Sequence, residues 1–305
     1  MNLYSYGKLL ITGEYLVLDG AEAFALPLSC GQSLNYKEID NNLIKWTSYD
    51  MKNQVWFNTI VDKDKLEIIE SSDYSVSKRL NEILKSIRNH NSNFLNNNGC
   101  EIKTKLNFDK EWGLGSSSTL ISNLSSLANV DPYIILNETF GGSGYDIACS
   151  RVNYPLIYSL KKGKRSIQKT KFNPPFIDNL FFIYLNKKQD SRGEILNYSK
   201  LKVSNSDIEK VSSISKEISI TNNQKQFNSL LDSHEQILSS ILKRKTVKSE
   251  LFSDFEGSIK SLGAWGGDFI LSSSEFNPSK YFIDKGFNKV FTFKEMVNNT
   301  NFDYL

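Results

Sequence analysis

Glu111-Trp112-Gly113-Leu114-Gly115-Ser116-Ser117-Ser118-Thr119 stands between two runs of different period. Upstream, Cys100 to Phe108 alternates through Ile102, Lys103, Thr104, Lys105 and Leu106, the two-residue repeat of a strand. Downstream, Leu120, Ile121, Leu124 and Leu127 recur at helical spacing until Asn129 and Val130, with the serines placed to cap the first turn. Strand, glycine turn and helix are therefore predicted in that order. Glycines without a Cβ let backbone N–H groups approach an anion, the helix N-terminus adds partial positive charge, and serine hydroxyls suit phosphate oxygens or a Mg²⁺ ion. The lysine of the G-x-x-x-x-G-K-[ST] loop is absent. The plainer alternative is a capped helix after a tight turn.

Two further segments carry residues suited to phosphate chemistry. In Gly7-Lys8-Leu9-Leu10-Ile11-Thr12-Gly13-Glu14-Tyr15 a lysine among apolar residues can approach a transferring phosphoryl group, with Glu14 organising it or a cation; the alternative is a solvated strand edge. In Gly141-Gly142-Ser143-Gly144-Tyr145-Asp146-Ile147-Ala148-Cys149 an aspartate after a glycine turn can orient the proton of a substrate hydroxyl, or simply cap a short helix. A fourth run, Lys260 to Asp268, places glycines before a strand.

The rest of the chain supplies the frame. Its 305 residues suit one or two domains, and 39% hydrophobic content excludes global disorder. With 37 basic against 34 acidic side chains, scattered along the chain, nucleic-acid binding is not suggested. Cys30, Cys100 and Cys149 show no CxxC spacing, and His90 and His234 are the only histidines, so neither a zinc site nor a disulfide framework is expected. No secretory leader or long apolar span is read, which points to a cytoplasmic protein without membrane contact.

Residues 3–18 read as two short strands or one bent strand, and 32–39, 43–49 and 53–61 as an antiparallel meander. An amphipathic helix is predicted over Ser75 to Asn89, and another from Asp131-Pro132 to Gly141. The basic, proline-ended stretch Lys161 to Pro175 marks a domain boundary, dividing the chain into 1–165 and 166–305. Beyond it, strands are read at 180–185, 264–272 and 289–293, and helices at 206–219, 223–243 and 247–262. The fold class expected is α+β in two domains.

Taken together in this order, the motifs resemble those of the GHMP kinases, the group of galactokinase, homoserine kinase, mevalonate kinase and phosphomevalonate kinase. The resemblance covers residues 7–28, 109–160 and 260–272. It implies an N-terminal ribosomal-protein-like ATP-binding domain and a C-terminal ferredoxin-like domain, with ATP and Mg²⁺ as cofactors and a small-molecule acceptor. Gly113, Leu114, Gly115, Ser116, Ser117 and Ser118 would bind the ATP phosphates. Lys8 and Asp146 match the catalytic pair, and Ser117 and Glu138 the metal ligands. Glu14, Tyr15, Ser191, Arg192, Gly266 and Gly267 would support the substrate loops. A monomer or homodimer is compatible with it.

Tyr15, where mevalonate kinases carry His, the Glu111-Trp112 pair and Asp268 resemble the phosphomevalonate branch. Trp265 departs from the pattern by replacing a glycine of the third motif, and is expected to narrow that loop or push it outward. Arg192 stands where Ser-Thr is usual, either clamping an anion or lying in a charged surface loop. The reading is a mevalonate-pathway kinase, with a sugar or amino-acid kinase and a non-catalytic metabolite-binding relative left open.

Overall fold

Asp73 begins the first long helix by accepting the N–H groups of Ser75 and Val76, and the helix runs Tyr74–His90 with Leu80, Ile83, Leu84 and Ile87 buried. The apolar spacing read from the sequence holds, and the Asp73 cap fixes where the helix begins. The computed structural model describes residues 1–297 and divides the chain into two compact units. One comprises Met1–Gly7, Cys30–Lys110 and Leu114–Arg151; the other Lys8–Ser29, Glu111–Gly113 and the chain from Val152 onward. No helix among the described residues is long and apolar enough to cross a membrane.

In the first unit the strands lie in the order Ile68–Ser71, Val55–Asp62, Leu43–Tyr49, Gly99–Leu106 and then the later residues of Ala23–Ile39. The expected meander is thus interrupted. Leu43–Tyr49 and Val55–Asp62 do form an antiparallel hairpin, but Gly99–Leu106 inserts between Leu43–Tyr49, which it joins in parallel, and residues 32–39, which it joins antiparallel. A parallel neighbour needs a crossover, and the helix Tyr74–His90 lies in the connecting chain. The core gathers Trp46, Phe57, Ile83, Ile102, Ile121 and Leu124, so this helix and Ser116–Ala128 cover one face of the sheet.

In the second unit Ala23, Phe24 and Ala25 pair with Leu156–Lys161, which pairs in turn with Lys164–Lys169 at the end of the strand order. A separate four-stranded antiparallel sheet has the order Ser258–Leu262, Phe269–Ser273, Leu180–Tyr184, Val290–Thr292. Helices Asn205–Ile218 and Gln224–Leu242 belong to the same unit. The helix expected over 247–262 stops at Leu251. Gly257 sits at φ 144, in a conformation that ends regular helix and packs its Cα against the Ser273 carbonyl, and Ser258–Leu262 continues as a fully buried strand. The strand expected at 264 begins only at Phe269, because residues 263–268 make the glycine turn.

Candidate active site

Gly113 and Gly115 both adopt left-handed φ, 66° and 98°, which lets the chain turn from the short 3-10 helix Lys110–Trp112 into the helix Ser116–Ala128. No side chain caps that helix. Instead the hydroxyls of Ser118 and Thr119 donate back to the Gly115 carbonyl, at 3.0 and 2.9 Å. Ser118 and Leu114 are buried, so Leu114 offers the loop only its backbone, and the Ser118 hydroxyl is already engaged. Ser117 is exposed and Ser116 half-buried. The first-turn N–H groups therefore meet no capping side chain, the condition under which a helix start attracts an anion.

Beside Ser116 and Ser117 lies a cavity of about 250 Å³ within the first unit, walled by Trp46, Trp56, Phe57, Leu80 and Phe140. The Lys110 ammonium stands 5.1 Å above the Trp56 ring. The Trp56 indole N–H is buried without an acceptor among the described residues. A largely apolar slot with one unpaired donor suits a flat heteroaromatic ring. Sequence reading passed over it, because Trp46 and Trp56 sit on separate strands and converge only through the hairpin.

Lys8 lies inside the continuous strand Asn2–Thr12, and its ammonium donates to the Gly113 carbonyl at 2.9 Å. Its neighbour Gly7 leaves room for the carbonyls of Cys30 and Leu114; a Cβ there would meet them at 3.0 and 3.1 Å. Asp268 closes on the same turn from the third motif: a Cβ on Gly113 would lie 2.5 Å from its Oδ2, and one on Gly263 2.9 Å. First, second and third motifs thus meet at Gly113.

Glu14 is buried at the end of that strand. Its Oε1 accepts from the Lys260 ammonium at 2.6 Å, and Lys260 also lies 3.1 Å from Glu235. His234 Nε2 accepts the Gly13 N–H at 2.9 Å. All four side chains are shut from solvent. Burial pushes the Glu14 carboxyl up to about 7 against the pull of Lys260, raises Glu235 as well, and keeps His234 neutral by lowering it well below its usual range. Burial also opposes the Lys260 charge, but the two carboxylates outweigh it. Two carboxyls around one ammonium leave one proton to be held between them. The sequence did carry a signal for this network. His234 and Glu235 fall at the buried spacing of Phe227, Leu231 and Leu238 on Gln224–Leu242, where charged residues are unusual.

Tyr15, at φ 63, accepts the Trp265 backbone N–H with its hydroxyl at 2.8 Å. The Trp265 indole donates to the Lys245 carbonyl at 3.2 Å and is buried with Tyr15, Tyr198, Val211 and Leu238. Trp265 therefore neither narrows the third-motif turn nor pushes it outward: its ring is core, and the close approach to Gly113 is made by Asp268. Gly266 takes φ 77, and a Cβ on Gly267 would overlap the Gln189 side chain, whose amide donates to the Trp265 carbonyl at 3.2 Å. Ser191 and Arg192 begin the helix Ser191–Tyr198; their side chains lie outside the described part of the structure.

Asp146 sits half-buried in the first turn of Tyr145–Ser150, after Gly144 at φ 87, and accepts the Ile147 N–H at 3.0 Å. Glu138, on Pro132–Thr139, accepts from the Ser86 hydroxyl at 2.6 Å and pairs with His90 at 2.8 Å. Those two hydrogen bonds hold its carboxyl below the ordinary range.

No family model and no curated protein sequence matches the chain. Solved structures do. The phosphomevalonate kinase of Streptococcus pneumoniae, in complex with phosphomevalonate and AMPPNP, superposes with a TM-score of 0.70 at 15% identity, covering 95% of this chain and 99% of that one. The mevalonate kinase of Methanococcus jannaschii gives 0.69 at 17% identity over 95% and 96%. The Lactococcus lactis galactokinase complexed with galactose gives 0.65 at 13% identity over 93% and 88%. The chain has the fold of the GHMP kinases.

Within this GHMP kinase fold the metal ligands implied by the resemblance fare differently. The exposed Ser117 hydroxyl fits as one oxygen ligand for a Mg²⁺ that arrives on phosphates. Glu138 has one carboxylate oxygen on the Ser86 hydroxyl and the other on His90, and no group of three acid, His or Cys side chains among the described residues could hold an ion.

Proposed function

We propose that the chain is an ATP-dependent small-molecule kinase acting on a mevalonate-pathway acceptor, phosphomevalonate or mevalonate. The observation that carries this reading is the Lys8 ammonium bonded to the Gly113 carbonyl at the start of an uncapped helix. A cation held on the glycine turn suits the phosphates of ATP. The cavity beside Ser116 and Ser117 would take the adenine, stacked against Trp56.

In this mechanism the N–H groups of Gly113 to Ser117 bind the phosphate oxygens and Lys8 balances charge on the γ-phosphoryl in flight. The acceptor oxygen attacks the γ-phosphorus, the bond to the bridging oxygen breaks, and ADP leaves. Asp146 orients that oxygen, and takes its proton where the oxygen is a hydroxyl. Mg²⁺, when bound with the nucleotide, supplies further neutralisation of the phosphates. Support for the phosphomevalonate branch comes from Tyr15 and Asp268 and from the bound phosphomevalonate of the pneumococcal neighbour. The 1–165 and 166–305 division remains part of this proposal, with ATP held by the former.

The test is ADP release with mevalonate, phosphomevalonate, homoserine and hexoses in turn. One of the first two acceptors should support turnover, and Lys8→Ala and Asp146→Ala should each abolish it while leaving the thermal melt intact. Near-full turnover by Asp146→Ala would remove the mechanism. ATP binding without turnover on any acceptor would favour a metabolite-binding relative.

A further inference from the structure

We propose that a cavity beside the third-motif turn, lined by Lys187 and Lys245, is a second ligand site that takes a small phosphate monoester with an aliphatic body. The site goes beyond the kinase reading and holds whether or not the chain turns over an acceptor.

The cavity has a volume of about 450 Å³, the size of a small-molecule pocket, and lies wholly within the second unit. Leu185, Leu251 and Phe287 give it apolar walls, while Gln189 and Gly266 bring the third-motif turn to it. Leu251 is 45% exposed, so a ligand seated there would cover apolar surface that the fold leaves in water. None of Lys8, Gly113, Ser117 and Asp146 lines this cavity. Tyr184 and Lys188, from the same stretch of chain as Leu185 and Lys187, reach instead to Glu111 ahead of the phosphate loop. The Tyr184 hydroxyl donates to the Glu111 carbonyl at 3.3 Å, and the Lys188 ammonium lies 3.3 Å from the Glu111 carboxylate. The stretch thus gives one pair of side chains to the phosphate loop and the other to the cavity.

Three cations and one acid line the cavity: Lys187, Arg244, Lys245 and Glu250. Arg244 is answered by Glu194 at 2.6 Å. The Lys187 and Lys245 ammoniums meet neither an acid nor a hydrogen-bond acceptor among the described residues. Their backbones are nonetheless fastened to the third-motif turn. The Lys187 carbonyl accepts the Asp268 N–H at 2.8 Å, and the Lys245 carbonyl accepts the Trp265 indole N–H at 3.2 Å. Gln189 adds a further tie, donating its side-chain amide to the Trp265 carbonyl and its N–H to Asp268 Oδ1, both at 3.2 Å. The walls are therefore set before a ligand arrives, which lowers the cost of binding. Two anchored cations without counter-charge, beside apolar walls, match a phosphate head of charge near −2 joined to a hydrocarbon body.

Lysine acylation followed by peptide mass spectrometry tests the site, with butyl phosphate, inorganic phosphate and butanol as probes. For a dissociation constant of about 1 mM, about 5 mM butyl phosphate should slow acylation of Lys187 and Lys245 about sixfold, with exposed Lys45 unchanged as the internal reference. Inorganic phosphate and butanol should each protect far less. Lys187→Gln and Lys245→Gln lie at exposed positions and should keep the melting temperature. Each should raise the butyl phosphate concentration that half-protects the other lysine about fivefold. Lys8→Ala should leave the protection intact. Equal protection by inorganic phosphate would mark a charge effect alone, loss of protection in Lys8→Ala would move the probe to the phosphate loop, and no protection at either lysine would mark a cavity that binds nothing; each overturns the proposal. Turnover is not read at any point, so failure of the kinase reading leaves the outcome unchanged.

Discussion

The Lys260 ammonium lies 2.6 Å from Glu14 Oε1, and neither side chain reaches solvent. First-motif turn and third-motif strand are joined through this pair rather than through apolar packing alone. Removing the cation strands two carboxyls in a dry site, so Lys260→Met should destabilise the fold by about 3–5 kcal/mol, read from urea unfolding. A loss under 1 kcal/mol would mean water reaches the pair.

Acid should reveal the shared proton. Glu14 is pushed by burial up to about 7 from 4.5, so the folded state binds a proton there that the unfolded chain releases. Its contribution to stability is complete below the unfolded value and is lost as pH rises through about 7. His234, held neutral, works the other way below 6.5 in parent and variant alike. Measured against Glu14→Gln, which carries no titrating group there, the parent should therefore gain about 1–3 kcal/mol of stability from pH 8 to pH 5. A difference flat across that range refutes the shared proton.

Trp56 offers the clearest check on the nucleotide slot. If adenine stacks there, Trp56→Ala should raise the dissociation constant for ATP by about 1–3 kcal/mol, roughly 5- to 150-fold. Calorimetric titration measures it. Unchanged affinity would send the base elsewhere.

For Trp265 the expected effect is on folding. It is 4% exposed and packed among Tyr15, Tyr198 and Leu238, so Trp265→Ala should cost about 3–5 kcal/mol. A variant that keeps its melting temperature would show the indole to be outside the core.

The strand, glycine turn and helix around Gly113 were legible because each has a local signature: alternation, left-handed glycines and helical spacing. Trp265 was misjudged for the opposite reason. Its motif position says where the backbone goes, but the direction of the ring depends on Tyr15 and Lys245, far away in sequence. Asp268 was noticed as a motif ending, and its contact with Gly113 needs the folded turn to be seen. The helix extended through 247–262 stops at Leu251, and the strand that replaces its second half, Ser258–Leu262, is set by pairing with Phe269–Ser273, which lies beyond any local window. The meander failed because strand order depends on a crossover, which alternation does not encode.

The strand Lys164–Lys169 pairs on one side with Leu156–Lys161 and ends the strand order. Its open rim of backbone donors and acceptors could template a strand from another molecule. Lys164, Arg165 and Lys169, with Lys161 and Lys162 at the hairpin, place five cations along it. Two such rims approaching each other would repel before they could zip together. The basic stretch that reads as a seam in the sequence thus serves as the protein's guard against aggregation.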